Sequence, residues 1–200
     1  MITQEQKTRL EELRGALEDH MASMKPRRYE HSLGVADTAG MLARVYGVDE
    51  FLAYAAGLLH DWDKVVPDAE LLARAAQLGV RLAGSPVNAL PLLHGPVAAK
   101  ELPSRFDDLP DQVWQAIARH TVGAADMSPL DMVVFVADAI EPGRRGDYAV
   151  RLREMVGESS LSELFFQTFT QGLIYVMRTG RYLYPSALTV YNAYALASRE

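Results

Sequence analysis

Leu58-Leu59-His60-Asp61-Trp62-Asp63-Lys64 is the stretch on which the reading of this chain turns: an apolar run breaks off into an imidazole, two carboxylates and an amine. Upstream of it, Phe51-Leu52-Ala53-Tyr54-Ala55-Ala56-Gly57-Leu58-Leu59 is apolar or small on nearly every side. A helix apolar all round is a buried helix, and Asp49 is placed to cap it. Neighbours on a helix diverge by about 100°, so His60 and Asp61 reach one point only if the backbone leaves the helix there. The turn over 63–67 supplies that exit. The pair is therefore expected at the centre of a metal site, with His31, His94, His120 and Asp138 spaced along the chain to complete it.

Outward from this centre, the pattern is helical throughout. Thr3 with Gln6 is a capping-box signal, after which Leu10, Leu13, Leu17, Met21 and Met24 recur at three- and four-residue steps until Lys25-Pro26. A second helix is expected over 27–46, ending at Gly47, with His31 in its first turn. Pro67-Asp68 opens a fourth helix to about 78, and 80–91, with Gly84, Pro86 and Pro91, reads as loop. His94-Gly95-Pro96 opens a helix to 102, and Pro110-Asp111 opens one that ends at His120-Thr121. Ser128-Pro129 is an N-cap and N1 pair for a helix over 130–140, whose β-branched run Met132-Val133-Val134-Phe135-Val136-Ala137 would otherwise suggest a strand. Three further helices are expected at 147–156, 160–179 and 186–199. The fold class is all-α, a single domain over 1–200 with its core at 27–145 and the N-terminal and C-terminal helices packed on it.

Composition limits the function. A chain of 200 residues with 49% hydrophobic content and a net charge of −6 is an ordinary globular chain, unsuited to coating nucleic acid or an anionic membrane by bulk charge. Without cysteine, thiolate metal sites and cysteine nucleophiles are excluded, so a metal must bind nitrogen and oxygen. The N-terminus lacks a secretion or transit pattern. The longest apolar run is about half the roughly 20 residues that span a bilayer, so a cytoplasmic location is expected.

His31, His60, His94 and His120, four of the five histidines, fall at helix ends or first turns, and Asp138 lies on an otherwise apolar helix. A buried carboxylate left unpaired costs several kcal/mol. It requires a metal, or an ion pair with Arg144 or Arg145. Each histidine taken singly also reads as a helix cap or a core residue, and His20 has no evident partner. Imidazole and carboxylate together suit Fe, Mn, Co or Zn, and a bridging carboxylate, for which Asp61 is the candidate, holds two metals about 3.5–4 Å apart. Such a pair lowers the pKa of a bridging water to give hydroxide near neutral pH and binds phosphoryl oxygens. Lys64 and Arg28 are candidate phosphate contacts, as is Arg144 in Glu141-Pro142-Gly143-Arg144-Arg145. Asp63 reads as a partner orienting a ligand imidazole, as a general acid, or as a plain turn residue.

His31, His60-Asp61 and the distant Asp138 resemble the signature of the HD-domain metal-dependent phosphohydrolases. More narrowly, Arg28-Tyr29-Glu30-His31-Ser32-Leu33-Gly34-Val35-Ala36, Leu58-Leu59-His60-Asp61, Leu93-His94-Gly95-Pro96, His120-Thr121 and Phe135-Val136-Ala137-Asp138 with Ile140-Glu141-Pro142-Gly143-Arg144 resemble its YqeK branch. The resemblance implies symmetrical hydrolysis of diadenosine tetraphosphate to two ADP. It also implies a metal of the iron type held by His31, His60, Asp61, His94, His120 and Asp138. Asp61, Lys64 and Asp63 are the catalytic candidates, and Arg28, Lys64, Thr121 and Arg144 the substrate contacts. The chain departs from the family pattern at Asp63, at Val122 after Thr121, and at Tyr184. Implied partners are a small dinucleoside polyphosphate and a second copy in a homodimer; the tyrosines at 182, 184, 191 and 194 suit either an interface or the covering of the core. The alternatives are another HD-type nucleotide phosphohydrolase and a non-catalytic nucleotide-binding regulator. The base and ribose pocket is expected in the 80–91 loop or in the turn after Glu141.

Overall fold

The capping box at Thr3 starts the first helix as its sequence predicts: Gln6 N–H donates to Thr3 Oγ1 at 3.2 Å and Thr3 N–H to Gln6 Oε1 at 2.9 Å. The computed structural model describes residues 2–197, and among them are ten α-helices and no strand. Helix α1 (Gln4–Leu17) does not continue to Met24. It opens into one wider π turn over Glu18–Ala22. The wider turn keeps Met21 fully buried and lays the His20 ring flat on Trp62, with centroids 4.0 Å apart and planes 6° from parallel. His20 Nε2–H donates to the Trp62 carbonyl at 3.0 Å, so the histidine without an evident partner in sequence has one in the fold.

Pro26 ends the first segment by beginning the next. It is the first residue of α2 (Pro26–Tyr46), where its missing N–H is not needed. Gly47 closes α2 in the left-handed region, at φ 70°. Helix α3 (Glu50–Leu59) is capped by Asp49, whose side chain accepts Leu52 N–H at 3.0 Å, and its second half, Ala55 to Leu59, is wholly buried. It can lie close to α2 because both present small residues: a Cβ on Gly57 would sit 3.1 Å from Ala36 Cα, Ala39 Cβ and Val35 O.

Helices α4 (Asp68–Gln77), α5 (His94–Glu101), α6 (Asp111–Arg119) and α7 (Pro129–Ile140) follow. The β-branched run in α7 is helical because Ser128 and Asp131 form a reciprocal capping box at its start and its valines are buried on all sides. Helix α7 packs against α2, α3 and α6 on one side and α9 (Leu161–Arg178) on the other, with α8 (Asp147–Glu154) at its end. Helix α10 (Ala187–Ala197) lies on α9; residues 198 and 199 of the expected last helix lie outside the described residues.

Of the C-terminal aromatics, Phe165, Phe169 and Tyr194 are buried in the core, whereas Tyr182 and Tyr191 are exposed. Phe165 meets Phe135 at 5.0 Å and Tyr194 at 4.8 Å between ring centroids, and the Tyr194 hydroxyl accepts Met127 N–H at 3.1 Å. Tyr184 accepts Ala83 N–H at 2.9 Å and so ties the loop after α4 to the tail. A smaller cluster of Leu71, Ala75, Leu93 and Val97 joins α4 to α5. No described helix is long and apolar enough to cross a membrane.

Candidate metal site

Helices α3 and α6 each end on a histidine, and α5 begins on one. His60 follows α3 and donates Nδ1–H to Gly57 O at 2.7 Å; His120 follows α6 and donates to Ile117 O at 2.6 Å. His94, the first residue of α5, donates to Pro91 O at 3.1 Å. All three bond the carbonyl three residues back. His31, near the start of α2, differs: its Nδ1 faces Glu141 Oε1 at 3.1 Å. The three carbonyl bonds favour the proton on Nδ1 of His60, His94 and His120 and turn each Nε2 away as the free nitrogen; on His31 the Glu141 carboxylate favours the same tautomer from Nδ1 while Asp138 faces Nε2.

All four Nε2 atoms turn to one carboxylate. Asp61 Oδ2 is 3.3 Å from His60 Nε2 and 3.7 Å from His31 Nε2; Asp61 Oδ1 is 3.0 Å from His94 Nε2 and 3.8 Å from His120 Nε2. Asp138 closes the first half of this arrangement, with Oδ1 3.1 Å from His31 Nε2. The ligand atoms of His31, His60 and Asp138 lie within 4.8 Å of one another, as do those of His60, Asp61 and His120. Asp61 is 2% exposed and belongs to the second group; His60 is common to both, and His94 reaches the cluster through Asp61 Oδ1.

This donor set fits a cation. The Nε2 atoms of His31 and His60 are buried without a hydrogen-bond partner, and those of His94 and His120 face each other at 3.0 Å. With both Nδ1 protons engaged elsewhere, two lone pairs at that distance repel. Two nitrogens about 2.1 Å from a shared metal, at ligand angles of about 90–109°, would lie about 3.0–3.4 Å apart.

Burial and the neighbouring charges shift the titrating groups of the cluster. Burial by itself would raise Asp61, but His60, His120 and His94 outweigh it and hold the carboxyl well below its usual range. Asp138, only partly buried where the sequence suggests a buried carboxylate, is held down in the same way, desolvation being overcome by His31, His60 and Arg144. Burial pushes His94 down to about 3, which keeps it neutral and available as a ligand. On His60 burial is outweighed by Asp61 and Asp138, so its pKa is raised.

Beside the site a cleft of about 830 Å³ is lined by the 24–28 segment, His31, Gly34 and the turn from Glu141 to Arg144. Of the two regions expected to hold the base and ribose, the turn after Glu141 lines this cleft, while no residue of 80–91 does. Two of the expected phosphate contacts are on its wall. Arg28 Nη1 donates to Asp61 Oδ2 at 2.7 Å and Arg144 Nη2 to Asp138 Oδ1 at 2.6 Å. The ion-pair and metal-ligand readings of Asp138 therefore coexist, Arg144 and His31 both lying on Oδ1.

Lys64 is on the one-turn 3-10 helix Trp62–Val65 and donates to Pro91 O at 3.4 Å, the carbonyl that also takes the His94 proton. Burial lowers its pKa. Asp63 is buried, and its charged neighbours are Glu101 and Arg74 rather than the histidines; burial, then Glu101, pushes its pKa up to about 7. The Thr121 hydroxyl is buried without a partner and does not line the cleft. Sequence reasoning missed the role of Glu141. Its signal was present, an acidic residue between a buried helix and Pro-Gly, but its partner is 110 positions away.

Comparison with known proteins places this geometry in context. A family model described as "HD domain" matches residues 28–143. The chain is 31% identical over 173 residues to "Bis(5'-nucleosyl)-tetraphosphatase, symmetrical" of Staphylococcus aureus, covering 84% of this chain and 87% of that one. It is 28% identical over 176 residues to the protein of the same name from Halalkalibacterium halodurans, covering 86% and 91%. A crystal structure described as a predicted HD superfamily hydrolase involved in NAD metabolism, from Clostridium acetobutylicum, superposes with a TM-score of 0.84. That protein is 29% identical, and the match covers 95% of this chain and 97% of that one.

Proposed function

The chain belongs to the HD domain family, and we propose that it acts as one domain to hydrolyse diadenosine tetraphosphate symmetrically, to two ADP. The name carried by relatives aligned over most of the chain supports this substrate. One observation carries the hydrolytic reading: four imidazoles whose Nδ1 protons are engaged elsewhere aim Nε2 at the two oxygens of one buried carboxylate.

His31, His60, Asp61, His94, His120 and Asp138 hold one or two divalent metal ions, with iron the expected metal and Mn, Co and Zn the alternatives. When bound, such ions supply Lewis acidity toward phosphoryl oxygens and acidify water. The reaction adds one water oxygen to the second phosphorus and breaks the bridge to the third. The departing oxygen keeps the electron pair and is released as the terminal oxygen of ADP. Arg28 and Arg144 each spend part of the guanidinium on Asp61 or Asp138, and as residues of the cleft wall they have N–H donors left for a phosphate bound there. Lys64 adds a third cation from the turn that carries Asp61. The buried histidines exclude bulk water from the ligand side.

The test is the product pattern. Diadenosine tetraphosphate incubated with anaerobically purified protein, and resolved by ion exchange, should yield ADP alone; AMP with ATP, or no cleavage, would refute the assignment. Metal analysis of the same preparation should find at least about one ion per chain.

A further inference from the structure

From the surroundings of His31 we infer that Glu141 is a positioning residue of the metal site, the carboxylate that sets the tautomer of His31. The inference rests on the reading of His31 as a metal ligand.

His31 is the one histidine of the four whose Nδ1 proton does not go to a backbone carbonyl three residues back. Among the described residues its Nδ1 partner is Glu141 Oε1 at 3.1 Å. Without that acceptor the ring would be free to carry its proton on Nε2, the atom that faces Asp138 at 3.1 Å, and Nε2–H cannot ligate a cation. The other carboxylate oxygen of Glu141 accepts Gly143 N–H, and Arg144 Nε lies 3.8 Å from Oε1. Arg144 in turn donates to the Asp138 carbonyl at 2.8 Å and to its side chain at 2.6 Å. The same residue thus reaches one ligand directly and a second through the arginine.

The carboxylate is walled in. A Cβ on Gly34, one turn after His31 on α2, would stand 2.9 Å from Glu141 Oε2; a Cβ on Gly143 would stand 2.8 Å from Oε1 and 2.9 Å from Oε2. Glycine at both places leaves the space the carboxylate occupies. The backbone is held from behind by Arg153 of α8, which donates to the carbonyls of Ile140, Glu141 and Arg144, each at 2.7 Å. The turn would therefore persist if the Glu141 side chain were removed, so the carboxylate acts on His31 rather than serving only to hold the turn.

The experiment compares wild type with Glu141→Ala, Glu141→Gln and Gly34→Ala in three measurements: Zn²⁺ and Mn²⁺ affinity by chelator competition, thermal melting of the metal-free protein, and the His31 tautomer by long-range proton–nitrogen NMR. Glu141→Ala should bind either metal about 10–100-fold more weakly and shift His31 toward Nε2–H. Glu141→Gln retains one acceptor and should fall between Glu141→Ala and wild type. Gly34→Ala keeps every ligand and the carboxylate but pushes the latter aside; it should weaken metal binding while leaving the metal-free melting temperature equal or higher, because alanine replaces glycine within a helix. A purely structural role for Glu141 would move stability and affinity together. Affinity within about threefold of wild type in Glu141→Ala, with His31 still protonated on Nδ1, overturns the inference. A wild-type chain that binds neither metal overturns instead the reading of the site on which it rests.

Discussion

Gly95→Ala is the substitution whose effect follows most directly from the coordinates. A Cβ at this second residue of α5 would stand 2.7 Å from the Ile117 carbonyl oxygen, 2.9 Å from His120 Cε1 and 3.0 Å from His120 Nδ1. The first of these is the oxygen that accepts the His120 Nδ1 proton. Carbon and oxygen normally approach to about 3.3–3.6 Å, so the end of α6 must retreat by roughly 0.6 Å or more. Overpacking of this kind costs about 1–3 kcal/mol, and loosening the His120 hydrogen bond adds about 1 kcal/mol. Alanine returns at most about 1 kcal/mol of helix propensity. The net loss is about 1–3 kcal/mol, or about 2–12 °C in melting temperature for a chain of this length. Function should suffer more than stability, because His120 is both displaced and less firmly oriented: metal affinity should fall about 10–100-fold. Urea unfolding of the metal-free protein and a metal titration measure the two effects. Gly172→Ala on α9 is the control, since a Cβ there meets nothing within 4 Å, and it should stabilise the chain by about 0.5–1 kcal/mol. If Gly95→Ala behaves like Gly172→Ala in both assays, the close approach of α5 to His120 does not constrain the site.

Asp61→Ala should abolish metal retention and hydrolysis together, since both groups of donors face this carboxylate; a variant with wild-type metal content would refute its central place. Asp131→Ala should cost about 3 kcal/mol in urea unfolding, because the fully buried carboxylate accepts from Ser128 N–H, Gln115 and Arg119; unchanged stability would refute that account, and metal affinity of the folded variant should be unaffected. Burial lowers the pKa of His20 below its ordinary value, against the opposing bond to the Trp62 carbonyl. Protonation then favours the unfolded chain, so His20 contributes a loss of stability that begins as pH falls through about 6.5 and grows toward the folded-state pKa. His20→Gln should flatten that part of the metal-free stability curve, and parallel curves for the two proteins would refute it.

What the sequence made legible was whatever depends on neighbours along the chain. Thr3 with Gln6, Asp49, and Ser128 with Asp131 cap helices because their partners are three residues away, and the cap at Ser128 was sufficient to override the β-branched run in α7. The π turn at Glu18–Ala22 was not legible, because no local residue marks it; it follows from the burial of Met21 and the stacking of His20 on Trp62, a residue 42 positions on. Asp63 looked like part of the His60-Asp61 cluster by proximity in sequence. The short helix Trp62–Val65 turns it instead toward Glu101 and Arg74.

The same distinction runs through the site itself. The carbonyls in the last turn of an α-helix have no intrahelical donor, and leaving such a group buried and unpaired costs about 1–3 kcal/mol. His60 and His120 satisfy these carbonyls at the ends of α3 and α6, and His94 does the same for the short turn before α5. One hydrogen bond therefore finishes the helix and leaves Nε2 unprotonated for a metal. The two requirements coincide where a histidine stands at a helix terminus, as three of the four rings do; His31, singled out with them as a first-turn residue, is the exception. His31 lies inside α2, where backbone carbonyls are already taken, so its proton needs an acceptor from elsewhere. Glu141 meets that need from across the fold. The residue that sequence reasoning overlooked is thus the one required by the candidate ligand, among the four described histidines of the cluster, that a helix end does not orient.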